Sequence, residues 1–300
     1  MRGIVRAMQP VLLVVNPGAS SVSPETAARV ESALGGGVEV AWTERRGHAT
    51  ELVREADAQA VVVFGGDGVF NEALNGLPDG LPIGLVPGGG SSVLPRALGL
   101  PDDPEAAARR VAEALRAGRG RTISLGRVNG RRFAFAAALG FPAEVVRRVD
   151  ELGRGRRGRR PPDRVFLTTG LRILAERRGR LPPEIEVEGH GRTAFALVAN
   201  GDPYTYLWRL PVRAAPLARW DGGLDVVGPR SVGPFTIPRL LLAALTGRTP
   251  RARGVLYLDD VEAIELRADR PLPLQVDGED LGDVDRAVFA SEPNAAKILI

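Results

Sequence analysis

The stretch Val61–Leu77, VVVFGGDGVFNEALNGL, limits the folds open to this chain more than any other. Val61–Phe64 is an unbroken run of β-branched and aromatic residues, the pattern of a short strand buried on both faces. Gly65-Gly66-Asp67-Gly68 then breaks the strand, and from Val69 the apolar residues Phe70, Ala73, Leu74 and Leu77 recur at helical intervals. Glycines here let the backbone turn tightly and approach a ligand closely. Strand, glycine turn and helix start together aim backbone N–H groups at a phosphate. A carboxylate inside such a turn repels a phosphate unless a cation lies between them, so Asp67 fits a Mg²⁺–nucleotide better than a bare anion. The same residues also fit an ordinary βα turn with Asp67 as a helix cap, and this stretch alone does not separate the two readings.

The flanking chain repeats the pattern. Strands are expected at Val11–Val15, Val38–Trp42, Val61–Phe64 and Leu81–Val86, and helices at Thr26–Leu34, Gly47–Ala58, Val93–Leu98 and Pro104–Ala117. Such alternation implies parallel βαβ units. A second glycine loop, Pro87-Gly88-Gly89-Gly90-Ser91-Ser92, follows the fourth strand, so both loops should lie at the carboxyl edge of the sheet, where open α/β sheets bind ligands. Neither loop has the G-x-G-x-x-G spacing of a dinucleotide site. Past about Arg121 short strands divided by Gly, Pro and Asn dominate, among them Arg132–Ala138, Val261–Leu266, Leu272–Val276 and Ala287–Phe289, which implies an antiparallel sandwich or barrel. Helical patterns interrupt it at Ala143–Leu152, Val165–Arg177 and Pro238–Leu245, and a domain boundary is expected near residues 120–130.

Composition removes several chemistries. There is no cysteine, so thiol nucleophiles, disulfides and Cys-bound zinc are excluded, and two histidines cannot build a His-rich metal cage. Lys297 is the only lysine, which rules out a Walker-type phosphate loop at the glycines. No apolar run reaches the ~20 residues of a membrane span, and no signal peptide is expected, because Val11–Val15 is too short and runs into Asn16-Pro17. A cytoplasmic protein is expected, meeting any membrane only from its surface. Arg154–Arg164, RGRRGRRPPDR, reads as a solvated basic loop or as a surface for anionic lipid head groups, worth about 1 kcal/mol per basic residue near a bilayer. Nucleic acid is not the expected partner, since aromatics are 5% of the chain and none lies inside the run. Two acidic glycine motifs, Asp221-Gly222-Gly223 with Asp225 nearby, and Asp277-Gly278-Glu279, each read as turns when taken alone.

Taken in order, the motifs resemble the bacterial branch of the diacylglycerol kinase catalytic family of lipid kinases. The resemblance runs from Asn16-Pro17 through Thr43 with Gly47-His48-Ala49, GGDGVFNEALNGL, VPGGGSSVLPRALGLP and ANGDPYTY…PVRAAPLARWDGGLDVV to VDGEDLG, almost the whole chain. It implies an α/β + β architecture: a parallel-sheet ATP-binding domain over residues 1–125, joined by 291–300, and an antiparallel β-sandwich lipid domain over 126–290, with the active site in the cleft between them. The implied reaction is ATP- and Mg²⁺-dependent phosphorylation of diacylglycerol or a similar long-chain alcohol, at the inner membrane face. In that reading Glu279 is the general base and Asp67 the acidic residue tied to Mg²⁺ and the phosphates. Asn16, Thr43, Gly65, Gly66, Gly68, Val69, Phe70, Asn71, Gly90 and Ser91 are nucleotide contacts, and Asp221 and Asp225 are metal residues. An edge strand of the second domain could pair with a second copy. The chain departs from the family pattern at Val69, where threonine is usual, at Ser92 in place of asparagine, and at Pro142 in place of aspartate. One lost hydrogen bond to a charged phosphate costs about 1.5–3 kcal/mol, so the alternative is a weakened relative that binds nucleotide or lipid without turnover.

Overall fold

The computed structural model describes residues 10–90, 92–152, 161, 163–207 and 210–300, with only the backbone of Asp163. The chain forms two compact units: one runs to Thr122 and is rejoined by Ala296–Ile300, and the other is Ile123–Ala295.

The first unit alternates β1 (Val11–Val15), α1 (Pro24–Leu34), β2 (Val38–Trp42), α2 (His48–Arg54), β3 (Ala60–Gly65), α3 (Asp67–Gly76), β4 (Ile83–Pro87), α4 (Val93–Ala97) and α5 (Pro104–Arg116). Its strands are parallel in the order β4-β3-β1-β2, with Leu13 paired to Val40 on one side and Val62 on the other. The order changes direction between β1 and β3, the kind of position where doubly wound sheets bind ligands beyond the strand ends. The core is the double-sided sheet itself: Leu13, Val62, Phe64 and Val86 pack with Val30 and Val111 from α1 and α5. Local chemistry sets the helix starts. Ser23 Oγ accepts from Thr26 N–H at 3.2 Å while Ser23 N–H donates to Thr26 Oγ1 at 2.7 Å, a reciprocal cap followed by Pro24 at the first helical position. Asp103 caps α5 through Ala106 N–H at 2.7 Å. The chain's last residues close the sheet: Ile298 pairs with Ile83 in parallel, and Leu299 N–H donates to Ile83 O at 2.9 Å.

The second unit contains β5 (Arg121–Val128, entering from the first unit), β6 (Arg131–Phe133), β7 (Ala136–Leu139), α6 (Phe141–Glu151), α7 (Asp163–Glu176), β8 (Ile185–Val187), β9 (Gly191–Thr193), β10 (Ala196–Ala199), β11 (Thr205–Leu207), β12 (Leu210–Val212), β13 (Leu224–Pro229), α8 (Thr236–Leu245), β14 (Val255–Val261), β15 (Ala263–Val276) and β16 (Glu279–Ile298). The central order β14-β13-β10-β7-β15-β16 is antiparallel throughout. On β15, Leu266 pairs with Val187 of β8 whereas Val276 pairs with Ala137 of β7, and the register with β16 shifts between Arg267 and Leu272. The two arms thus have different neighbours yet feed one buried cluster, including Phe133, Val198, Val226, Leu266, Leu274 and Phe289, in the manner of a sandwich.

Three departures from the sequence pattern have physical causes. The expected strand Arg132–Ala138 is broken at Ala134–Phe135, whose amides are diverted to a carboxylate of β15's turn. The expected strands Val261–Leu266 and Leu272–Val276 merge into the single β15 from Ala263 on, with Val261 ending β14, because a register shift absorbs the polar residues between them. Ala287–Phe289 lies inside the long β16, in which Gly282, at φ 91°, takes up a second irregularity instead of ending the strand.

Candidate active site

Within the first unit, every predicted nucleotide residue that the structure describes lies at or just past the carboxyl ends of the strands. Asn16 follows β1, Thr43 follows β2, the Gly65–Asn71 run spans the end of β3, Gly66 and the first half of α3, and Gly90 lies beyond β4. Ser91 lies outside the described residues. Asn16 N–H donates to Phe64 O at 3.0 Å, its Oδ1 accepts from Gly18 N–H at 2.9 Å, and Thr43 N–H donates to Val15 O at 2.9 Å, so the strand ends are tied side by side. His48 closes the loop before α2, its Nδ1 accepting from Glu44 N–H at 3.1 Å.

The two glycine loops interlock backbone to backbone. Gly88 N–H donates to Gly65 O at 2.6 Å. A Cβ on Gly88 would lie 3.1 Å from Gly65 Cα, and one on Gly89 would lie 3.0 Å from Gly66 Cα. These glycines are therefore required by close approach of the two loops. Gly68 and Gly90 differ: beyond the adjoining backbone, no atom lies within 4 Å of either missing Cβ. Both have φ outside the left-handed region, so neither packing nor strain demands glycine there.

Asp67 is the bolt between the loops. It is not the N-cap of its own helix: Oδ2 accepts from Val93 N–H at 3.0 Å and Oδ1 from Leu94 N–H at 3.1 Å, satisfying the start of the short α4. Helix α3, whose N-cap is Gly66, has no side-chain cap of its own, which leaves its first-turn amides and its dipole directed outward. Val69, Phe70 and Asn71 turn away from that surface. Val69 packs on Gly65, Phe70 is fully buried, and Asn71 Oδ1 accepts from Asn75 Nδ2 at 3.2 Å. These three side chains pack within the first unit, so a nucleotide at the loop would meet their backbone. Ser92 is buried and spends its hydroxyl on Gly89 O at 2.9 Å.

In the second unit, Glu279 is the first residue of β16, and the acidic motif is a hairpin turn, as the sequence suggests. Asp277 and Gly278 have φ of 46° and 82°, the two left-handed residues of a type I′ turn, and Val276 pairs with Glu279 across it. The turn is anchored from inside. Asp277 is buried, and its carboxylate accepts from Ala134 N–H at 2.6 Å, Phe135 N–H at 3.0 Å and Ala136 N–H at 3.1 Å. On the other side of that segment, Asn200 Nδ2 donates to Ala134 O and Ser124 O, both at 2.8 Å, and Asn200 N–H donates to Phe135 O at 2.9 Å. Glu279 Oε2 pairs with Arg131 at 3.2 Å while keeping 18% of its side chain exposed. The next residue, Asp280, takes a two-pronged bond from Arg147 of α6 at 3.0 Å on each oxygen. The turn is thus held on three sides. Asp277 and Asn200 are site-shaping residues that the sequence reading did not single out. Asp277 sat within its motif but was read only as a turn, and nothing local marks a carboxylate that collects amides from more than a hundred positions away.

The predicted metal residues differ in their surroundings. Asp221 is exposed. Asp225 is buried on β13, with Oδ2 accepting from Tyr257 Oη–H at 2.5 Å and Oδ1 from Asp260 N–H at 3.1 Å. It borders a pocket of about 420 Å³ lined also by Leu217, Arg219, Gly223, Asp259 and Asp260. Asp260 already accepts from Gly223 N–H at 2.7 Å and pairs with Arg219 at 3.3 Å. Among the described residues no three His, Asp or Glu side chains are grouped to hold a metal ion. The described residues therefore form no protein-built cage for Mg²⁺, and both Asp225 oxygens are engaged by Tyr257 and Asp260 in this structure.

Burial raises the Asp225 pKa, with the Tyr257 hydroxyl and the Asp260 amide opposing it. A raised carboxylate pKa contributes stability that is full below the ordinary value of 3.8 and is lost as pH rises through the raised one. Tyr257→Phe removes the hydroxyl that favours the charged form. It should cost about 1–3 kcal/mol at neutral pH and clearly less in acid, where Asp225 is neutral. Urea unfolding at the two pH values checks this, and a loss that does not change with pH would refute it.

A parallel sheet with interlocked glycine loops at its carboxyl edge, followed by an antiparallel unit with a presented carboxylate, is the arrangement of a two-domain phosphotransferase of the kinase type. Comparison with known proteins agrees. Residues 10–128 match the family model described as diacylglycerol kinase catalytic domain. A Pseudomonas aeruginosa protein described as "Probable lipid kinase YegS-like" is 32% identical over 303 residues, covering 96% of this chain and 93% of its own. The Bacillus subtilis diacylglycerol kinase is 26% identical over 246 residues, 78% of this chain and 76% of its own. The crystal structure of a Bacillus anthracis diacylglycerol kinase superposes with a TM-score of 0.69 at 18% identity, covering 97% and 96% of the two chains. An Archaeoglobus fulgidus NAD kinase solved in complex with ATP superposes with a TM-score of 0.54 at 15% identity, covering 97% and 93%. The chain belongs to the diacylglycerol kinase family of lipid kinases, and it is a phosphotransferase.

Proposed function

We propose that the protein transfers the γ-phosphate of Mg²⁺–ATP to the hydroxyl of diacylglycerol or a similar long-chain lipid alcohol. The observation that carries the nucleotide half is the bare surface at the glycine loops. Gly65, Gly88 and Gly89 are explained by packing, whereas Gly68 and Gly90 have open space where a side chain would be, beside the uncapped start of α3. Backbone amides at such a place suit phosphate oxygens. ATP as the donor is supported by the family and by the related fold that binds it. Mg²⁺, when bound, would neutralise charge on the phosphates and rides on the nucleotide, needing few protein ligands; Asp67 is the acidic residue of the glycine turn.

Glu279 is the proposed general base. It is a carboxylate on a braced turn, partly exposed, with Arg131 fixing one oxygen. In that role it accepts the proton of the lipid hydroxyl as the oxygen attacks phosphorus. Phosphoryl transfer needs positioning and charge compensation more than covalent chemistry, which is what glycine-loop amides and a fixed carboxylate can supply.

The test is transfer of labelled phosphate from ATP to a lipid panel, with product identification, run beside Gly68→Ala. That substitution fills the open space with one methyl group. It should lower ATP affinity about tenfold or more while leaving thermal stability unchanged or slightly raised, because alanine is the better helix former. Unchanged ATP affinity would remove the phosphate role of this loop. A second reading, binding without turnover, is favoured by the buried Val69 and by the Ser92 hydroxyl already engaged with Gly89 O. ATP binding with no lipid product across the panel would select it.

A further inference from the structure

The connection between β13 and β14 is unlike the rest of the second unit. The strands pair as far as Pro229 with Val255, and Arg230 N–H donates to Gly254 O at 2.8 Å, so residues 230–254 leave and return at one point of the sheet edge. This excursion contains Arg230, Arg239, Arg248, Arg251 and Arg253 and no acidic residue. All five arginines are exposed, and none forms an ion pair among the described residues. Elsewhere in the unit Arg127, Arg147, Arg177 and Arg270 are all matched to carboxylates.

Helix α8 sits in this excursion with its polarity reversed. Ile237 packs inward on the cluster of Leu174, Leu181, Ala194 and Val232, and Arg213 N–H bonds Ala244 O at 2.9 Å, so the helix is anchored. Its outer side carries Phe235, Pro238 and Leu242 at three- and four-residue spacing, which places them on one face. Phe235 is 81% exposed and Leu242 63%, with Leu241 exposed beside them and Arg239 on the flank. A water-facing helix side made of phenylalanine and leucine, inside a segment that is purely cationic, is the signature of a helix lying in a lipid interface.

We infer that α8 and its arginines are the surface by which this protein docks on an anionic bilayer, with the apolar side entering the head-group boundary and the arginines meeting lipid phosphates. The occupant is a membrane because charge complementarity and apolar burial are required together over one short helix. The inference builds on the lipid-kinase reading, in which the acceptor resides in a bilayer, and it assigns the docking to a different segment from Arg154–Arg164, of which residues 154–160 and 162 lie outside the described residues.

The experiment uses the full chain and two double variants, Leu241→Glu/Leu242→Glu and Arg239→Glu/Arg248→Glu. Co-sedimentation is measured with vesicles of phosphatidylcholine alone and of phosphatidylcholine with phosphatidylglycerol. Wild type should bind the anionic vesicles preferentially. The leucine variant should lose at least about tenfold in affinity, and the arginine variant about fivefold or more per reversed charge. Phosphorylation of a short-chain diacylglycerol dispersed in solution should be unchanged in both. The proposal is overturned if wild type ignores anionic vesicles, if both variants bind as wild type does, or if light scattering shows that α8 instead joins two copies and the leucine variant only separates them. Docking lost in the variants, in a wild type that phosphorylates no lipid, would uphold the docking surface and reject the kinase reading.

Discussion

Glu279→Gln is expected to slow lipid phosphorylation by about 10²–10⁴-fold, the usual contribution of a positioned general base, while ATP affinity stays at the wild-type value. The substitution keeps the size of the side chain and one oxygen for Arg131, and removes only the ability to take a proton. Little stability should change with it, because the Arg131 pair is partly exposed and such pairs contribute about 0–1 kcal/mol. The informative comparison is therefore between turnover and binding, measured as steady-state rate and ATP titration on the same preparation. Turnover within a few-fold of wild type would remove Glu279 as the base and leave the carboxylate a structural partner of Arg131.

Asp277→Ala should have the largest effect on folding of any single change at the site. Its carboxylate is buried and accepts three backbone amides from Ala134, Phe135 and Ala136. Alanine leaves those donors unpaired away from water, at about 1–3 kcal/mol each. A loss of at least about 3 kcal/mol follows, or roughly 6–12 °C in Tm for a unit of this size. Thermal and urea unfolding measure it directly. The turn that presents Glu279 loosens as well, so activity should fall even where the variant is still folded. A variant that unfolds like wild type would mean that the segment finds other acceptors and that the clamp is dispensable.

Little of this clamp was legible in the chain. The alternating strands and helices of the first half and the two glycine loops at one sheet edge follow from short-range rules, because the interactions that make them lie within a few residues. The type I′ turn at Asp277-Gly278 was legible for the same reason. Three other features were not. Asp67 looks from the sequence like a cap for α3 or a partner for a cation, but its oxygens reach across to Val93 and Leu94. Val69 and Phe70 follow the glycines directly, yet the helix rotates them into the core. Asp225 lies near Asp221 in the sequence, but strand pairing carries it into the interior beside Tyr257.

Residue order alone determined the parallel and antiparallel halves and the family, since periodicity, turn residues and motif succession are properties of neighbours along the chain. Only the folded arrangement decided which glycines are there for packing and which for open space, which carboxylates are already engaged by backbone amides, and which arginines lack a counter-charge. Those outcomes depend on contacts between segments tens to well over a hundred positions apart, where hydrogen-bond geometry and burial assign each polar group its partner.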